Sequence, residues 1–283
     1  MLTIKCILEL DFMEIECMKL MEGKKGIIMG VANERSLAWG IAKSLAENGA
    51  EMIFSYQSEV LHKRVKPLAE SIGNMEMIEC DVGNDESIKS LFEKAAQKFG
   101  KIDFIVHAIA YSKKEELAGK YVDTTRENFL NTMDVSCYSL TAICQHASQH
   151  LSDSASIITL TYLGAERVMP HYNVMGIAKA ALEATVKYLA VDFGGRNIRV
   201  NGISAGPVRT LASAGIDDFR YILKWNQYNA PLKRNTTLED VGGAGLFLLS
   251  KLSSGVTGEI VHVDSGYHVV GMKAVDAPDI STV

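Results

Sequence analysis

Three side chains near the middle of the chain could do polar chemistry at a reacting oxygen. They are Tyr162, Tyr172 and Lys179, all within the segment Thr161-Tyr-Leu-Gly-Ala-Glu-Arg-Val-Met-Pro-His-Tyr-Asn-Val-Met-Gly-Ile-Ala-Lys179. A phenol donates one hydrogen bond and an ammonium donates three, so together they can stabilise an oxygen on which negative charge develops. Tyr172 precedes Lys179 by seven residues, two helical turns or roughly 10 Å along an axis if a helix reaches that far. Taken singly, a Tyr or Lys on a helix is more often a solvated or core side chain.

A second segment could hold phosphate. Gly30-Val-Ala-Asn-Glu-Arg-Ser36-Leu-Ala-Trp-Gly40 follows the first apolar run. A tight turn at Gly30, small residues for close backbone approach and a helix N-terminus are what a pyrophosphate requires. Ser36 can act as both helix cap and phosphate donor. The spacing departs from G-x-G-x-x-G, only the outer glycines being kept, and an ordinary strand-to-helix turn would read the same way. The second apolar run ends Ser55-Tyr56-Gln57 rather than in an acid. Gln57 can bond a ribose hydroxyl, while Lys63 and Arg64 further on could meet a 2′-phosphate, so NAD and NADP both stay open here. Asp81, in Cys80-Asp81-Val82, either accepts from an adenine amino group, with Val82 packed on the ring, or caps the helix starting near Asn84.

The elements that must position these residues follow from periodicity. Short apolar runs near 25–30, 51–56, 75–80, 102–109, 154–161, 197–204 and 259–263 alternate with helical patterns near 36–48, 58–72, 84–99, 126–150, 174–193 and 238–250. Repeated β-α units of this kind predict an α/β fold: a single-domain, Rossmann-type, doubly wound parallel sheet of about seven strands with helices on both faces. Residues 1–22 read as an irregular N-terminal extension, Met18 or Met21 being a candidate natural start, and 23–283 as the dinucleotide-binding catalytic domain. The stretch 206–237 opens with Gly206-Pro207 and carries scattered apolar residues, Leu211, Ala212, Phe219, Ile222 and Trp225. At the carboxyl end of a strand it reads either as a mobile substrate lid or as a helical ornament on the core.

Bulk composition narrows the classes. A formal net charge of −5 over 283 residues argues against a phosphate-backbone binder, so no nucleic-acid partner is expected. Cys6, Cys17, Cys80, Cys137 and Cys144 form no C-x-x-C pair, which points away from a zinc site or disulfide framework and towards a reducing cytoplasm. No stretch approaches the roughly 18 apolar residues of a membrane span, and Glu9, Asp11, Glu14 and Glu16 interrupt any secretory core.

With those residues in view, Tyr172-x6-Lys179 preceded by Tyr-Leu-Gly-Ala-Glu-Arg is similar to the signature of enoyl-[acyl-carrier-protein] reductases of bacterial fatty-acid synthesis. Lys179-Ala-Ala-Leu-Glu-Ala, Ile198-Arg-Val-Asn201 and Ser204-Ala-Gly-Pro-Val-Arg-Thr210 resemble the wider short-chain dehydrogenase superfamily. In that superfamily the Tyr and Lys commonly lie four residues apart, an offset at which this chain has Met175. The longer spacing suits an enoyl thioester, in which hydride goes to the β-carbon while charge appears further away, on the carbonyl oxygen. The similarity runs from about residue 23 to about 272.

The resemblance implies reduction of the trans-2 double bond of an enoyl-acyl-carrier-protein with NADH, NADPH not being excluded. It implies Tyr172 on the thioester carbonyl, Lys179 on the nicotinamide ribose and Tyr162 beside them. It puts Gly30, Ser36, Gln57, Asp81, Val82, Ile109, Val208 and Thr210 around the dinucleotide, and Tyr111, Tyr162, Tyr172, Met175 and Phe219 around the substrate, with no metal. It also implies an acyl carrier protein as partner and a homotetramer. Ala180, Leu182, Val186 and Leu189 could contribute to a subunit interface or equally to the monomer core. Arg209, Arg220, Lys224, Lys233 and Arg234 could steer an acidic carrier or form a solvated face. His107-Ala108-Ile109-Ala110-Tyr111 departs from the family, which commonly has a serine, a glycine and a large apolar residue there. The rival readings are a 3-oxoacyl or other carbonyl reductase, for which Thr159 would replace the usual serine thirteen residues before the Tyr, and a non-catalytic dinucleotide sensor.

Overall fold

The apolar runs become β1 (Lys25–Met29), β2 (Glu51–Tyr56), β3 (Met77–Glu79), β4 (Ile102–His107), β5 (Leu151–Thr161), β6 (Arg199–Ala205) and β7 (Ile260–Val263). In this computed structural model, which describes residues 19–73, 76–211, 213 and 218–280, they form one parallel sheet in the order β3-β2-β1-β4-β5-β6-β7. The order reverses between β1 and β4, and a sheet of this kind opens a crevice for ligand at that point, beyond the strands' carboxyl ends.

Both faces of the sheet are buried. Ile27, Met29, Ile53 and Ile105 meet the helices α3 (Asp85–Phe99), α6 (Ser139–Ala147) and α7 (Asn173–Gly194). Ile28, Phe54, Phe104 and Val106 meet α1 (Leu37–Glu47), α2 (Glu59–Ser71) and α9 (Leu238–Leu249) on the other face. Neighbouring residues therefore point to opposite layers, which is why these strands read as continuous apolar runs rather than alternating ones.

Capping chemistry sets several helix starts. Asn84 accepts from Ser87 N–H to start α3, and Thr237 with Asp240 forms a reciprocal capping box on α9. Arg199 is buried yet fully engaged, donating to Leu248 O and Ser253 Oγ at 2.8 and 2.7 Å and to Ser250 O at 3.1 Å. Its guanidinium thus meets the negative end of α9, a favourable place for a cation.

The single helix expected over 126–150 is instead α5 (Arg126–Met133), a π-type turn over Asp134–Tyr138 and α6. Periodicity sees one amphipathic run, whereas the π turn inserts a residue and rotates the face. Two further helices are present: α4 (Lys114–Ala118) and α8 (Phe219–Asn229). Residues 1–18 of the expected extension lie outside the described residues. Of its remainder, Met21 is buried in the core and donates its N–H to Asn48 O at 2.9 Å, so residues 19–22 pack as part of the α/β unit. Cys80, Cys137 and Cys144 are buried and unpaired. Among the described residues no helix is long and apolar enough to cross a membrane, and no group of His, Cys, Asp or Glu could hold a metal.

Candidate active site

The dinucleotide candidates fall along one edge of the sheet. Gly30 follows β1, Gln57 follows β2, Asp81 follows β3, Ile109 follows β4, and Val208 and Thr210 follow β6. Gly30 has φ +95°, and a Cβ there would lie 2.0 Å from Ala108 O. The turn is possible only without a side chain. Ser36 occupies the cap position of α1, but its side chain makes no cap bond. Its Oγ instead accepts from Ala32 N at 3.0 Å and Asn33 N at 3.2 Å. The expected capping role is therefore corrected: the hydroxyl tightens the loop, and the α1 N-terminus keeps no side-chain cap. A bare turn followed by such a helix start fits a pyrophosphate.

The other outer glycine serves packing rather than phosphate. A Cβ on Gly40 would sit 2.5 Å from Leu238 O, and one on Gly242 would sit 2.7 Å from Gly40 O, so α1 and α9 touch backbone to backbone. Since Asn84 caps α3, Asp81 is released from that role. It accepts from Gly83 N at 3.0 Å and from Gln57 Nε2 at 3.4 Å. Lys63, the possible partner of a 2′-phosphate, lies 3.8 Å from the carboxylate of Glu59. Thr210 and Ser213 exchange side-chain bonds of 3.0 and 2.8 Å that hold the strand end after β6.

Tyr162 and Tyr172 meet edge to face, ring centroids 5.1 Å apart at 71°. Tyr172 is the N-cap residue of α7, so the helix does reach to its doorstep, and Lys179 lies on that helix. Tyr172 is only 9% exposed and Lys179 only 6%. Lys179 Nζ donates to Leu160 O at 2.7 Å, leaving two ammonium hydrogens for other acceptors. Burial pushes the Lys179 pKa down to about 8, against the charges of Cys137 and Glu183. Burial likewise pushes both phenols well above their ordinary pKa, which keeps them protonated donors at neutral pH.

The position of Tyr172 is strongly determined. His171 and Asn173 on either side have φ +54° and +38°, a left-handed backbone that non-glycine residues adopt only when held there. Asn173 Nδ2 donates to Leu117 O at 2.9 Å and Gly119 O at 2.7 Å, and His171 Nδ1 lies 3.2 Å from Ala118 O, so the end of α4 clamps both neighbours. A Cβ on Gly164 would meet the Tyr172 ring at 2.3 Å. The glycine in Tyr-Leu-Gly-Ala-Glu-Arg is there because the ring lies on it.

Beside Tyr162 opens a cavity of about 230 Å³ lined also by Pro207, Tyr221, Trp225, Asp264 and Tyr267. Of the expected substrate residues, only Tyr162 lines it. Tyr172 and Met175 lie in the neighbouring apolar cluster with Leu117 and Val174. Tyr111 is 52% exposed in the loop after β4, and Phe219 is half-buried at the start of α8. Trp225, Asp264 and Tyr267 were not read as site residues from the sequence. Trp225 stood out only as one of several apolar residues in 206–237, and nothing local marks the other two.

His107 is a further buried group with no local signal. Its Nδ1 lies 2.8 Å from Thr159 Oγ1 and its Nε2 lies 2.9 Å from Ser139 Oγ. Burial first, and the Lys179 charge second, push its pKa down to about 3, so the ring is neutral. Thr159 is thereby engaged inside the sheet, which removes the serine substitute that a carbonyl reductase would need. Two members of the expected basic cluster are likewise engaged: Arg234 grips Asp240, with Nη2 to Oδ1 at 2.9 Å, and Lys233 lies 3.7 Å from Asp276. Arg209 and Arg220 are exposed. Leu182, Val186 and Leu189 belong to the core, whereas Ala180 is exposed on α7 together with the large apolar residues Ile177, Tyr188 and Val191.

A parallel sheet reversed at β1/β4, a bare glycine turn before a helix, and two packed phenols with a buried lysine seven residues on define a nicotinamide-dependent oxidoreductase on a Rossmann-type fold. A family model described as enoyl-(acyl carrier protein) reductase matches residues 30–268. The chain is 64% identical over 264 residues to enoyl-[acyl-carrier-protein] reductase [NADH] 1 of Rhizobium meliloti (strain 1021), covering 93% of this chain and 97% of that protein. A crystal structure of the reductase from Anaplasma phagocytophilum in complex with NAD matches with a TM-score of 0.88 and 60% identity, covering 92% of this chain and 98% of that one. The Bacillus cereus reductase with NADP+ and indole naphthyridinone matches with a TM-score of 0.88 and 49% identity, covering 90% and 100%. The chain belongs to the enoyl-[acyl-carrier-protein] reductase family.

Proposed function

We propose that this protein reduces the trans-2 double bond of enoyl-acyl-carrier-protein thioesters with NADH, the last reductive step of the fatty-acid elongation cycle. The observation that carries the reading is the Tyr162–Tyr172 pair beside the cavity, followed seven residues later by buried Lys179. The chemistry a bound nicotinamide supplies is hydride for the β-carbon. Tyr172 donates to the thioester oxygen, where the charge develops, and its raised pKa suits a donor that holds its proton. Tyr162 borders the acyl group, and the two remaining Lys179 hydrogens hold the nicotinamide ribose. Gly30, Ser36, Val82, Ile109, Val208 and Thr210 surround the rest of the dinucleotide. The Asp81 carboxylate against Gln57 favours a ribose hydroxyl over a 2′-phosphate, which supports NADH.

The remaining assignments stand on less local features. Among the described residues of 206–237, Pro207, Ile222 and Trp225 line the cavity, which supports a substrate lid. Exposed Arg209 and Arg220 supply positive charge for an acidic acyl carrier protein on an otherwise acidic chain. The apolar stripe of Ile177, Tyr188 and Val191 supports a homotetramer assembled through α7, and the enzyme works in the cytoplasm.

The test is loss of NADH absorbance with a trans-2-enoyl thioester, with NADPH in parallel. NADH oxidation that needs the enoyl substrate is expected, with kcat lowered about 100-fold in Tyr172→Phe, the scale of losing one oxyanion donor. Reduction of a 3-oxoacyl thioester without enoyl turnover would overturn the reading.

A further inference from the structure

We infer that Trp225 and Tyr267 form a latch across the wall of the substrate cavity and set the enzyme's preference among acyl-chain lengths. The inference rests on the reductase reading above. Trp225 Nε1 donates to Tyr267 Oη at 2.7 Å, and both residues line the cavity. They come from separate parts of the chain, Trp225 from α8 and Tyr267 from the turn after β7, so the bond joins two walls that no continuous backbone connects there. Tyr221, which also lines the cavity, stacks on Trp225 with centroids 5.9 Å apart at 28°.

Each wall is anchored away from the latch. On one side, buried Asp264 accepts from Gly266 N at 2.9 Å and His268 N at 2.7 Å, which holds Tyr267 in its turn. On the other, the end of α8 is held by Asn229, whose Oδ1 accepts from Ala274 N at 2.8 Å, and by Asn226, which donates to Asn235 Oδ1 at 3.2 Å. The walls are joined at the cavity by the Trp225–Tyr267 bond, from an indole whose N–H is its sole donor, and further along by the Asn229–Ala274 bond.

The size of the space gives the latch its consequence. At about 230 Å³ the cavity is smaller than the roughly 300–1,000 Å³ of a pocket that takes a whole small ligand. A short enoyl group fits beside Tyr162 without disturbing the far wall. A longer one must part Trp225 from Tyr267. The bond therefore taxes long chains selectively.

The experiment compares coenzyme A thioesters of a four-carbon and a twelve-carbon trans-2-enoyl acid in the full-length enzyme and in Trp225→Phe, Tyr267→Phe and the double variant. Both single substitutions keep a ring and remove one side of the bond. Each is expected to raise the twelve-carbon to four-carbon ratio of kcat/KM about fivefold, the worth of one ordinary hydrogen bond, through a lower KM for the longer substrate. The double variant is expected to go no further than either single one, because both remove the same bond. Calorimetric binding of the saturated twelve-carbon thioester should tighten by the same factor. Unchanged ratios, or additive effects of the two substitutions, would overturn the latch alone. Absence of four-carbon turnover in the unmodified enzyme would overturn the latch together with the reductase reading.

Discussion

The two halves of the site are built by opposite means. The proposed dinucleotide edge is made by omission: Gly30 bends where no side chain fits, and Gly40 and Gly242 let α1 and α9 touch. The substrate side is made by addition, with Tyr162, Tyr172, Trp225 and Tyr267 filling and bordering one cavity region. A wall made by omission tolerates no extra atom, because the contacts behind it are backbone. A wall made of large side chains can be altered in steps, and its positioning depends on hydrogen bonds that can be removed singly.

The largest effect is expected from one methyl group added on the omission side. Gly30→Ala must either abandon φ +95° or displace Ala108 O. Backbone strain of about 1–3 kcal/mol should weaken NADH binding roughly tenfold to hundredfold, read by fluorescence titration. Binding within twofold of the unmodified enzyme would mean that the loop is far more pliant than its contacts indicate.

On the addition side the expected loss is smaller and divisible. Asn173→Ala removes the amide that grips Leu117 O and Gly119 O and puts a less tolerant residue at φ +38°. It should lower kcat about tenfold by loosening Tyr172, since each such bond is worth about 1 kcal/mol, with little change in NADH KM. Asn173→Gly keeps the backbone conformation and loses only the amide, so it should fall between the two. A raised NADH KM with unchanged kcat would contradict a positioning role.

The gentlest probe is pH, acting through Lys179, the proposed ribose contact. Its pKa is pushed down to about 8 from an ordinary 10.5, so the proton is lost as pH rises through 8 and NADH KM should climb, by roughly tenfold at pH 9. Stability moves the other way. Between about pH 8 and 10.5 the unfolded state holds this proton and the folded state does not, so this group's contribution to stability increases with pH. Thermal melts compared with Lys179→Met isolate it: the unmodified enzyme should gain on the variant over that window. A flat NADH KM from pH 7 to 9 would place the lysine outside the ribose contact.

What the sequence made legible was whatever has a local signature. Seven apolar runs became seven strands, and Ser36 stands at the start of α1 as read, although it turned its hydroxyl to the loop. Tyr172 and Lys179 were visible because their spacing survives on one helix. The Trp225–Tyr267 bond spans 42 residues and the His107–Thr159 contact spans 52, and no periodicity encodes either. The break between α5 and α6 was invisible for a different reason. A π turn changes the helix by one residue and leaves the apolar pattern almost intact.

The glycine contact between α1 and α9 also bears on how the protein comes into being. A ribosome finishes α1 long before α9, so Gly40 waits for Leu238 and Gly242 until the intervening strands β2 to β6 have been made. Contacts of such sequence separation close late and slow folding. The glycine turn at Gly30, joined to α1 through Ser36, gains its rigid backing only when α9 arrives. A nascent chain can thus display most of the sheet while still unable to hold a dinucleotide firmly, and competence for the cofactor waits on α9.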